Sequence, residues 1–69
     1  MRAKVEIEKR TDGRYDWSLY LALAPYGRYE HIDSGVEDTI ADAEEAGKRT
    51  ASSYMERHYP ERKTVRFNV

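Results

Sequence analysis

His31 and His58 are the only histidines, 27 positions apart, in a chain without cysteine. A transition-metal site there would need further donors, and Asp33, two residues from His31 and so on the same side of a strand, is the candidate. His58 has another explanation, since near the end of a helical pattern its imidazole answers the helix dipole. Neither histidine has a metal-ligand spacing, so no metal and no cofactor is expected. Ser34, Ser52 and Ser53 offer hydroxyls, but none sits in a Gly-x-Ser-x-Gly elbow. Gly35 and Gly47 are isolated and make no phosphate-cradling loop. A non-enzyme is expected.

Two groups of bases remain. Arg2, Lys4, Lys9, Arg10 and Arg14 surround the first predicted turn, and Arg57, Arg62, Lys63 and Arg66 gather toward the end. A strand surface carrying Lys4, Tyr20 and Arg66 would be a platform on which a nucleic-acid base could stack. Glu6, Glu8, Asp16 and Glu30 crowd the same sheet. With 36% charged residues and a formal net charge of -1, whole-protein attraction to nucleic acid is weak.

The 69 residues make one small globular domain, 1–69. The opening Met-Arg-Ala-Lys-Val-Glu lacks the apolar core of a signal peptide. No run approaches the roughly 18 apolar residues that span a bilayer. The expectation is a cytoplasmic protein with no membrane contact.

Alternation then places the elements. Ala3, Val5 and Ile7 alternate with Lys4, Glu6 and Glu8, and Tyr15, Trp17, Leu19, Leu21 and Leu23 repeat with period two. A two-residue Asp12-Gly13 turn would set these apolar rows on opposite faces. A three-residue loop, Thr11-Asp12-Gly13, pairs Ile7 with Trp17 and Val5 with Leu19, with Gly13 left-handed. A five-residue loop keeps the same parity.

Pro25-Tyr26-Gly27 reverses the chain into a third strand from about Arg28 to Ser34, broken by Ser34-Gly35. Its facing is open. A three-residue loop turns His31 inward and leaves Ile32 beside Tyr20; a four-residue loop does the reverse.

A helix follows from about Thr39 to Tyr59, capped by Asp38 or Thr39. Its inner stripe is Ile40, Ala43, Gly47, Ala51, Tyr54 and His58, with Ala46, Thr50 and Met55 alongside. The small residues would let the helix approach Trp17 and the leucines closely. Pro60 ends it, and Val65, Phe67 and Val69 alternate as a last strand.

The expected fold is α+β: a three-stranded antiparallel meander, one long helix on one face and a C-terminal fourth strand. A right-handed crossover gives this β-β-β-α-β order the sheet 3-2-1-4. "DGRYDWSLYLA", a hairpin opening on Asp-Gly, and "DSGVEDTIADAEEA", a glycine before a Thr-capped helix, resemble small β-β-β-α-β domains such as the HicB antitoxin N-terminal domain. The chain is also similar to short proteins of phage and actinobacterial type. The resemblance implies an antitoxin-like toxin binder or a phage-encoded accessory protein that binds a host protein. The Pro-Gly-Cys segment typical of HicB is absent from these residues, so no family site residue is carried over.

From the residues themselves, the leading expectation is a protein-interaction domain. The outer row of the second strand contains Tyr20, Ala22 and Ala24. With Ile32 beside them, Tyr20 and Ala22 would form a flat apolar patch for a protein partner, most simply a homodimer. The competing arrangement lays Tyr20 over the stem of Lys4.

Overall fold

The computed structural model describes residues 2–22 and 27–60, and the backbone of residues 66–68. Three antiparallel strands, β1 (Arg2–Lys9), β2 (Tyr15–Ala22) and β3 (Glu30–Glu37), precede one helix, α1 (Ile40–His58). The protein is thus a small α+β domain, and no described helix is long and apolar enough to cross a membrane. Leu23, Val65 and Val69, which extend the predicted second and last strands, lie outside the described residues.

Alternation sets the first hairpin. Ala3, Val5, Trp17, Leu19 and Leu21 are all buried on the helix side, so β1 and β2 must pair residues of equal parity. Ile7 faces Trp17 and Val5 faces Leu19, the register expected for the three-residue loop. Gly13 takes φ +85°, a conformation that L side chains rarely adopt. Arg10 N donates to Arg14 O at 2.7 Å and closes the loop. Around it, Arg10 pairs with Asp12 at 3.2 Å and with Asp16 at 3.0 Å. Arg14 N donates to the Asp12 carboxylate at 3.0 Å, and this backbone hydrogen bond holds that carboxyl below its usual range.

The third strand combines both predicted registers. From Tyr15↔Glu37 to Leu19↔Asp33 it follows one register; then Tyr20 faces His31 and Leu21 faces Glu30. Ile32 is the extra residue of a β-bulge, and it packs half-buried against the core. The strand also runs on through Ser34-Gly35, where a break was expected. Gly35 lies opposite Trp17, and a Cβ there would stand 2.8 Å from the indole ring. The glycine makes room for the tryptophan rather than ending the strand. Trp17 Nε1 donates to Glu37 Oε2 at 3.3 Å, which satisfies the indole N–H.

Of the two predicted caps, Thr39 serves: its Oγ1 accepts from Asp42 N at 3.0 Å. The helix then buries Ala43, Gly47, Ala51 and Met55. A Cβ on Gly47 would lie 2.7 Å from a Val5 methyl, so the helix rests almost directly on β1. Ile40 and His58 leave the expected buried stripe. Ile40 is 50% exposed, and His58 stacks on Tyr54 with ring centroids 4.3 Å apart.

Gly35→Ala is expected to lower the unfolding free energy by about 1–3 kcal/mol, because a flat, buried indole must move to admit the methyl group. Gly47→Ala should cost less, since the gain in helix propensity, about 1 kcal/mol, offsets part of the crowding. Denaturant unfolding of both variants checks this order. Protonation provides a second check. A lowered folded-state pKa means that Asp12 contributes above the ordinary carboxyl value of 3.8 and loses that contribution as pH falls through the lowered one. Carboxyl-carbon NMR should place its midpoint below 3.8.

Candidate interaction surface

The outer face of the sheet comes from the even residues of β1 and β2. Lys4 lies opposite Tyr20 in the ladder, and its Nζ stands 5.3 Å from the Tyr20 ring centroid. Because the bulge changes the parity of β3, His31 turns outward and meets Tyr20 edge-on at 5.4 Å. Tyr29 lies 5.3 Å from the Arg2 guanidinium and 5.0 Å from Lys4 Nζ. β2 separates β3 from β1, so the Tyr29 ring reaches those cations across β2 near Ala22, the partner of Arg2.

This layer overturns the expected apolar patch. Ala22 is 0% exposed, opposite Arg2 in the ladder. Ile32 faces the helix, where it shares a crevice with Thr50 and Tyr54. Tyr20 is half-buried between Lys4 and His31. The bulge also parts His31 from Asp33, which lies opposite the core residue Leu19, so these two do not converge on a metal. Of the residues proposed for nucleic acid, Lys4 and Tyr20 meet; the Arg66 side chain lies outside the described residues.

The opposite end of the outer face is acidic. Glu6, Glu8 and Asp16 stand there, with Glu6 Oε1 3.0 Å from Lys4 Nζ and Asp16 bound to Arg10. Arg10 is raised above its ordinary range, chiefly by its hydrogen bond to Asp16. Glu8 makes no ion pair among the described residues.

A different feature emerges at the edge of β1. Arg10 N donates toward β2, and antiparallel ladders alternate, so the even residues of β1 bond to β2. Val5, Ile7 and Lys9 therefore point their backbone N–H and C=O groups away from it. Among the described residues, no second strand pairs with Val5–Lys9. Beside this edge runs an open groove lined by Val5, Ile7, Tyr15, Ile40 and Glu44, with Lys4, Glu6, Glu8 and Lys9 along the strand itself. Ile40 is the only large hydrophobic residue counted as exposed among those described.

Sequence reasoning missed this groove because Ile40 matches the helical stripe. As the first residue of the helix, it overhangs the edge of β1 instead of covering the sheet centre. The available signal was its position beside the N-cap.

No protein-family model, curated protein or solved structure matches the chain.

A double-mutant cycle of Lys4→Met and Tyr20→Leu is expected to give a coupling of about 0.5–1 kcal/mol, as for cation–aromatic pairs near water. Zero coupling in urea unfolding would mean that the two side chains do not meet in solution.

Proposed function

We propose that this chain is a non-enzymatic protein-interaction domain that receives an extended segment of a partner protein along the edge of β1. The observation that carries the reading is the coincidence of two features on that edge. Val5–Lys9 presents outward backbone groups without a second strand among the described residues, and the apolar side chains Ile7 and Ile40 line the groove beside it. Backbone groups supply affinity in strand addition, and alternate side-chain contacts supply specificity. An exposed strand edge otherwise invites unselective pairing, and the acids Glu6 and Glu8 restrain that.

The proposal includes the sheet order 3-2-1-4. The backbone of Arg66–Asn68, β4, pairs in parallel with Arg2–Lys4 and supports that order. The same edge of β1 thus takes a strand along its first residues.

A second reading, binding of single-stranded nucleic acid, has its own observation: Arg2 and Lys4 gather with Tyr20 and Tyr29 at the basic end of the outer face. Against it, both rings already carry a cation within 5.3 Å, so a base would have to displace Lys4 to stack.

Selection of binders from a library of twelve-residue peptides, followed by Ile7→Pro, separates the readings. The Ile7 N–H faces away from β2, so proline there removes an edge donor and leaves the β1–β2 ladder intact. Selected peptides should lose at least about tenfold in affinity for a variant that keeps its circular dichroism. Lys9→Pro, at an exposed site, repeats the test with less effect on packing. Unchanged affinity in both would overturn the edge reading. Salt-sensitive binding of oligonucleotides, lost in Lys4→Ala and Tyr20→Ala, would instead support the second.

A further inference from the structure

Resting on that edge, we infer that the partner segment alternates apolar with basic residues, and that a second copy of this chain is not the occupant. A strand laid along Val5–Lys9 points successive side chains to opposite faces of the sheet. Those on the helix side meet Val5, Ile7 and Ile40 in the groove. Those on the outer side meet Glu6 and Glu8. Lys4 already holds Glu6 at 3.0 Å, while Glu8 makes no ion pair among the described residues. Glu44 adds a further carboxylate within the groove itself, which Lys4 and Lys9 also line; Lys9 shares the helix-side row with Ile7, so a base is disfavoured on that row and favoured on the outer one. Opposite charges on neighbouring strands stabilise a pair, and like charges directly opposite destabilise it. The edge therefore selects lysine or arginine at alternate positions.

The same rule disfavours a second copy. An antiparallel pairing that uses Val5–Lys9 from both chains sets Ile7 against Ile7 but Glu6 against Glu8, twice over. Shifting the register to match Lys4 with Glu8 moves the second copy onto Arg2–Lys4, the stretch that β4 pairs. A register that sets Glu6 against Arg10 also sets Glu8 against Glu8 and Ile7 against Lys9, and Arg10 is already held by Asp12 and Asp16, so a second copy matches this edge less well than an alternating basic segment.

Three fluorescein-labelled synthetic peptides of eight residues test the inference by anisotropy. One alternates valine with lysine, one alternates valine with glutamate, and one holds four valines followed by four lysines. The alternating basic peptide should bind at least about tenfold tighter than the acidic one and severalfold tighter than the block peptide. Glu8→Gln should weaken it about two- to fivefold, and Glu8→Lys should reverse the order of the alternating pair. Glu8 is exposed, so both variants should fold. Equal affinity for the basic and acidic peptides, or indifference to Glu8→Lys, overturns the inference. If Ile7→Pro then abolishes binding of both, the edge reading survives without the charge rule. If Glu8 matters but Ile7→Pro and Lys9→Pro do not, the contact is a general electrostatic one and the edge reading fails too.

Discussion

The helix lies so close to the sheet that only small residues fit between them. Ala43, Gly47 and Ala51 form its buried row, and Gly47 leaves no room for a Cβ above Val5. The large side chains at the centre of this core come from the sheet, Trp17, Leu19 and Leu21, while the helix adds Met55, also buried, and Tyr54, half-buried. Gly35 repeats the device within the sheet by clearing space for the indole. Packing at this density leaves few alternatives, because any added methyl must displace a rigid neighbour. The Thr39 cap fixes where the helix begins, and its first residue, Ile40, lines the groove beside β1 instead of the core.

The bulge at Ile32 is the second organising feature. One extra residue lets β3 satisfy two demands that a regular strand could not. Gly35 must stay opposite Trp17, and Ile32 must reach the helix side, where Tyr54 packs on the same core. His31 is turned outward as a consequence, and it closes one side of Tyr20. Tyr29 and the cations Arg2 and Lys4 complete that layer. This end of the outer face is thereby a surface of tyrosine and bases, unlike the bare apolar patch that alternation alone suggests.

Much of the three-stranded fold was legible because it rests on parity. Alternation in Ala3-Val5-Ile7 and Trp17-Leu19-Leu21 set the first hairpin register, and Thr39 with the Ala43-Gly47-Ala51 row set the helix. The facing of β3 was not legible. Both loop lengths were compatible with the residues, and a bulge, which uses each register in turn, leaves no local mark in Glu30-His31-Ile32-Asp33. Gly35 reads as a breaker until its long-range partner Trp17 is known. The candidate site depends on the same non-local facts. Ala22 and Ile32 are apolar at surface-compatible positions; the bulge turns Ile32 to the helix side, and the burial of Ala22 comes from residues distant in its strand pattern. The edge of β1 depends on which strands lie beside it, which no local pattern encodes.

An open edge also imposes a pattern on the backbone, and that pattern carries the central claim. The amides of Glu6 and Glu8 bond to β2, whereas those of Ile7 and Lys9 face outward. Residue-resolved hydrogen exchange on the isotope-labelled domain, with and without the alternating basic peptide, reads this directly. The account predicts slow exchange at Glu6 and Glu8 in both states, and fast exchange at Ile7 and Lys9 that becomes slow when the peptide binds. Ile7 and Lys9 already protected in the free domain, or still exchanging freely in the bound one, would contradict it.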